Sequence, residues 1–146
     1  MATNVVRRCQ RDDLMKQRVL IVEDEFLIAL DLGATVEGIG MQVAGLANNR
    51  EQALRLAPSA DIAFVDVNLA DGRTGPDLGR RLAEEHGLAV VFMTGNPETV
   101  AGGVKGAVGF VQKPVMPSLV EQLLKYLAAR RVGGFAVVPA QMTVFT

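Results

Sequence analysis

The sequence predicts a parallel α/β sandwich, and three observations lead there. Apolar runs of strand length, rich in valine and isoleucine, recur five times. A helical pattern follows each of them. Within the runs polar and apolar residues hardly alternate, which suits strands buried on both faces.

Taken in order, the first strand is Val19–Val22, and Phe26–Glu37 carries a helical pattern. The second strand, Met41–Ala47, leads to a helix at Arg50–Leu56, which Asn49 can cap with its side-chain oxygen. Ile62–Val67 is the third strand and Pro76–Glu85 the third helix, with Gly87 where a left-handed C-cap is expected. Ala89–Met93 is the fourth strand; only a weak helical pattern, Pro97–Ala101, follows it. Ala107–Val111 and Pro117–Arg130 complete the series. Pro76, Pro97 and Pro117 each occupy a first helical turn, where the missing N–H would be unpaired anyway. The stretch Ala101-Gly102-Gly103-Val104-Lys105-Gly106 is glycine-rich, and each glycine costs up to about 1 kcal/mol of helix propensity. The fourth helix is therefore expected to be short or mobile. Short links and right-handed crossovers leave few topologies. The expected one is a flavodoxin-like three-layer sandwich of (βα)5 form with parallel strand order 2-1-3-4-5.

Domain organisation follows from the flanks. Residues 18–131 form the α/β unit, residues 1–17 are mixed and charged and read as an N-terminal arm, and residues 132–146 form an apolar tail after a Gly133-Gly134 hinge. With 146 residues, one compact domain is expected. Fifteen basic and sixteen acidic residues leave a net charge of −1, so no direct nucleic-acid binding is expected. No run approaches the roughly 18 apolar residues of a membrane span, and no signal peptide is visible, so neither membrane insertion nor export is expected. Cys9 is the single cysteine, which excludes an internal disulfide and a cysteine metal cluster and fits a cytoplasmic location. His86, the single histidine, ends a helix where a cationic ring is favoured, and reads as structural or solvated.

In a doubly wound sheet, ligands bind beyond the carboxyl ends of the strands. Those ends are Glu23-Asp24-Glu25, Asp66-Val67-Asn68, Thr94-Gly95 and Lys113-Pro114. Carboxylates brought together repel one another, and a hard divalent cation relieves them. Mg²⁺, or Mn²⁺ in its place, fits Asp24, Asp66 and the Asn68 backbone carbonyl, with Glu23 acting through water. Asp66 is a carboxylate nucleophile of the kind that forms aspartyl phosphate. Lys113 is placed to pair with one phosphate oxygen and Thr94 to hydrogen-bond another. Each residue also has a plainer reading: a helix cap or turn for Asp66, first-turn acids for residues 23–25, a surface lysine for Lys113.

With these residues in view, the chain resembles the receiver domains of two-component response regulators over roughly residues 18 to 130. The motifs Val-Leu-Ile-Val-Glu-Asp-Glu, Ala-Phe-Val-Asp-Val-Asn-Leu, Val-Phe-Met-Thr-Gly and Phe-Val-Gln-Lys-Pro stand in family order and spacing. The resemblance implies a phosphoacceptor at Asp66, metal ligands at Asp24 and Asp66, a phosphate-sensing hydroxyl at Thr94, an ion-pairing Lys113 and a cis bond before Pro114. It also implies a sensor histidine kinase or histidine phosphotransfer protein as partner, a downstream protein target, and no catalysis beyond self-phosphorylation and autodephosphorylation. A homodimer through the face of the fourth helix, fifth strand and fifth helix is one arrangement open to it. Glu23 stands where aspartate is common, and Phe110 stands at the aromatic switch position where tyrosine is frequent. The loose fourth helix is similar to that of some single-domain regulators of α-proteobacteria, as is the Asp66–Gly75 loop.

Two rival functions draw on the same residue types. A haloacid-dehalogenase-like phosphatase or phosphotransferase would need an acid two residues beyond its nucleophile, usually on the first strand; here that residue is Asn68 and the strand is the third. A pseudo-receiver scaffold would need a broken site, and no essential position is missing.

Overall fold

The computed structural model describes residues 15–146. Among them are six strands in one sheet: β1 (Arg18–Val22), β2 (Gln42–Ala47), β3 (Ile62–Val65), β4 (Ala89–Thr94), β5 (Gly109–Gln112) and β6 (Thr143–Val144). Four α-helices accompany them: α1 (Phe26–Gly38), α2 (Arg50–Leu56), α3 (Gly75–His86) and α4 (Pro117–Arg131). The sheet order is β2-β1-β3-β4-β5-β6; the first five strands run parallel, and β6 is antiparallel to β5.

The central strands β1, β3 and β4 are almost wholly apolar and buried because both faces are covered. Val19 and Ile21 of β1 join a core with Ile62, Phe64 and Val91 under α1 and α4. Leu20 and Val22 point the other way, into a core with Ala63, Val65, Val90 and Phe92 under α3. Helix α1 buries Ala29, Leu32, Gly33 and Val36, one stripe at helical spacing. Helix α3 presents Leu78, Gly79 and Leu82, and α4 presents Leu119, Val120, Leu123, Leu124 and Leu127.

The expected punctuation is in place. Asn49 caps α2 by accepting the Gln52 N–H at 2.9 Å, and Gly87 closes α3 at φ +72°. The Lys113–Pro114 bond is cis.

Two features depart from five-by-five alternation. The weak fourth helix is reduced to a 3₁₀ turn, Pro97–Thr99, and the residues after it run irregularly with Gly103 at φ +97° and Gly106 at φ +84°. Glycines at left-handed positions cannot continue a right-handed helix. The fifth expected helix is thus α4. Secondly, the apolar tail returns to its own domain as β6, pairing Gly109 with Val144 and Phe110 with Thr143. Of the expected N-terminal arm, residues 1–14 lie outside the described residues. Gln17 is buried, its Nε2 donating to the Ala128 carbonyl at 2.9 Å.

Candidate functional site

Backbone hydrogen bonds carry the sheet past its formal strand ends and fix the loops that bear the polar residues. Glu23 N–H donates to Ala47 O at 2.8 Å, Asp66 N–H to Val22 O at 2.9 Å, and Lys113 N–H to Thr94 O at 2.9 Å. Glu23, Asp66 and Lys113 are therefore set by the same ladder that holds the core.

Their side chains meet. Lys113 Nζ donates to Glu23 Oε1 at 2.6 Å and to Asp66 Oδ2 at 3.0 Å. Asp24 completes a group of three carboxylates whose oxygens lie within 4.8 Å of one another. Glu23 is the buried member, Asp66 is half-buried and Asp24 is exposed. Burial pushes the Glu23 carboxyl up to about 7, against the Lys113 ammonium, which favours its charged form. Burial also opposes the charge on Lys113, but hydrogen bonds to Glu23 and Asp66 outweigh it and raise its pKa. The lysine is a cation at neutral pH.

Thr94, also buried, ends β4 and turns its hydroxyl to accept the Asn96 N–H at 2.9 Å. Asn68 lies exposed in the β3–α3 loop, two residues beyond Asp66. Phe110 is half-buried on β5. Three of the expected site residues, Glu23, Asp66 and Lys113, thus touch directly, and Asp24 adjoins them. Sequence reasoning missed the brace on the β3–α3 loop. Asp71 accepts the Thr74 hydroxyl at 2.7 Å and the Arg50 N–H at 3.1 Å, and Ala70 N–H donates to Asn48 O at 3.0 Å. The Thr74 hydrogen bond holds the Asp71 carboxyl below its usual range. Its only sequence signal is the turn-forming composition of Asp71-Gly72-Arg73-Thr74.

Residues 19–125 match the sequence profile of the response regulator receiver domain. This chain belongs to the response regulator receiver family. It is 36% identical over 114 residues to the phyllosphere-induced regulator PhyR of Methylorubrum extorquens, covering 75% of this chain and 43% of that protein. The chain spans less than half the length of the curated relatives it matches. Among solved structures, the signal receiver domain of a modulated diguanylate cyclase from Desulfovibrio desulfuricans superposes with a TM-score of 0.71 at 31% identity, covering 80% of this chain and 97% of that one. The receiver domain of PhyR from Erythrobacter litoralis gives 0.68 at 29% identity, covering 86% and 95%. Receiver domains are signal-transduction modules, not classical enzymes, and they bind Mg²⁺ at an acidic pocket.

This receiver's acidic cluster fits that ion. Three carboxylates against one ammonium leave an excess of negative charge, and all the donors are hard oxygens, as Mg²⁺ prefers. Among the described residues, no helix is long and apolar enough to cross a membrane.

Proposed function

We propose that the chain is a phosphoacceptor in a two-component or phosphorelay pathway, phosphorylated on Asp66 and acting through protein–protein contacts. The observation that carries this reading is the meeting of Glu23 and Asp66 on Lys113, with Asp24 adjoining the two carboxylates, at the carboxyl ends of β1, β3 and β5. A carboxylate oxygen of Asp66 attacks phosphorus; the new O–P bond replaces the N–P bond of a phosphohistidine, and the released imidazole takes up a proton. Asp24, Asp66 and the Asn68 carbonyl would hold Mg²⁺, with Glu23 acting through water. When bound, the ion offsets the repulsion between carboxylate and phosphoryl group.

Lys113 then exchanges a carboxylate for a phosphoryl oxygen while remaining charged. Thr94, now only accepting from Asn96, has its own hydroxyl proton to give to another phosphoryl oxygen. Phe110 has no hydroxyl, so its inward movement is driven by apolar burial alone. The phosphodonor is a sensor kinase or a histidine phosphotransfer protein. Exposed Phe26 and Leu27, directly after the acidic run, give it an apolar surface beside the acceptor.

With Mg²⁺ and acetyl phosphate, intact mass is expected to rise by one phosphoryl group, and chelation or Asp66→Asn is expected to abolish the rise. Labelling of the Asp66→Asn protein at the wild-type level would remove Asp66 from the mechanism.

A further inference from the structure

The segment that pairs with β5 grips the two strands that carry the phosphate-binding residues. Phe145 lies with its ring 5.9 Å from Phe110 and 6.5 Å from Phe92, centre to centre. Phe92 stands on β4 two residues before Thr94, and Phe110 stands on β5 three residues before Lys113. Phe145 N–H also donates to Val108 O at 2.9 Å.

The edge of β5 is shaped to receive this segment. A Cβ at Gly109 would lie 2.1 Å from the Thr143 carbonyl oxygen, so any larger residue there would push β6 away. Beside α3, whose Gly79 abuts the Phe92 ring, the described residues over this part of the sheet form only a 3₁₀ turn and an irregular loop, and Val100, Val104, Ala107 and Phe145 join the same apolar cluster as Phe92. The tail thus supplies cover that the short fourth helical segment leaves out.

The hold of β6 itself is short. It has two residue pairs; Phe135 and Val137 further upstream are strongly exposed, at 82% and 89%, whereas Met142 just before it is buried and fixes where the segment begins. Gly133, at φ +75°, hinges the connection after α4. So short an edge strand opens at low free-energy cost.

We propose that β6 and Phe145 form a releasable strap that opposes phosphorylation of Asp66 and is loosened by it. This rests on the reading of Asp66 as phosphoacceptor. A phosphoryl group draws Thr94 and Lys113 toward its oxygens, shifts the ends of β4 and β5, and pulls the Phe110 ring inward, away from Phe145. Coupling of this kind is reciprocal: whatever loosens the strap favours the liganded site to the same degree. A permanent sixth strand would fill space without responding to the site.

Amide exchange at residues 143–145, measured on the full chain with Mg²⁺ and with or without beryllofluoride, separates the two. ¹⁹F resonance reports independently whether beryllofluoride is bound. Exchange at Phe145 is expected to quicken about tenfold on binding, and Phe145→Ala to tighten beryllofluoride binding by about the same factor. Bound beryllofluoride with unchanged exchange at 143–145 overturns the strap while leaving the acceptor intact. A missing ¹⁹F signal overturns the acceptor reading, and the coupling with it. A further arm needs no ligand: Phe110→Ala should quicken exchange at Phe145 while Val19–Val22 stay protected. If both regions lose protection the variant has unfolded, and Phe110→Leu replaces it. Unchanged exchange at Phe145 in a folded Phe110 variant also sinks the proposal.

Discussion

Burial of Glu23 beside Asp66 and Lys113 raises its carboxyl from an ordinary 4.5 to about 7. In the metal-free protein, folding therefore retains a proton on Glu23 that the unfolded chain has already released. The stability tied to that proton is full below the ordinary value and is lost as pH rises through about 7. Mg²⁺ needs the ionised carboxylate, so the same titration sets the pH dependence of the metal in the opposite sense. Calorimetric titration is expected to show tighter Mg²⁺ binding at about pH 8 than at about pH 6, with Glu23→Gln flattening the difference. A wild-type affinity that does not change over this range would remove Glu23 from the metal site. Residue type and order made Glu23 visible as an acid at a strand end. Its burial, and so its pKa, depended on neighbours from two distant segments.

At the scale of elements, the entry of α3 is set by what glycine lacks. A Cβ at Gly75 would lie 2.2 Å from the Asp66 carbonyl oxygen and 2.6 Å from Val67 Cα. One turn on, a Cβ at Gly79 would lie 2.3 Å from the Phe92 ring. Backbone atoms cannot swing aside as a flexible side-chain end can, so Gly75 lets α3 start directly against the loop that carries Asp66. Gly75→Ala is expected to cost at least about 2 kcal/mol, read as a lower urea midpoint. A midpoint within error of wild type would mean that the helix start has slack. Neither glycine declares this role in the sequence, because a loop glycine before Pro76 signals only a turn and a glycine within a helical pattern only weakened propensity. Asn49 and Gly87 were legible, since caps are local and depend on residues within one turn.

The whole molecule is a sheet with a separate core on each face. Ile62 belongs to the core under α1 and α4, whereas Leu78 belongs to the core on the opposite face. Truncations in the two should therefore act independently. Ile62→Val is expected to cost about 1 kcal/mol and Leu78→Ala about 2–5 kcal/mol. In chemical denaturation the double variant should match their sum within about 0.5 kcal/mol, and a larger departure would show that strain crosses the sheet.

Strand runs, helix periods and caps arise from contacts within a few residues, so the parallel sandwich, its strand order and the acids at its strand ends could be read along the chain. The glycine-rich stretch likewise foretold the weak fourth helix. Long-range packing decided the rest. Apolar residues 135–145 suited a tail on its own domain or one reaching a second copy, because hydrophobicity has no direction. Their return to β5 depended on the open edge of that strand, on the missing side chain of Gly109 and on the rings of Phe92 and Phe110. These lie far from Phe145 in sequence and come together only when the sheet has formed.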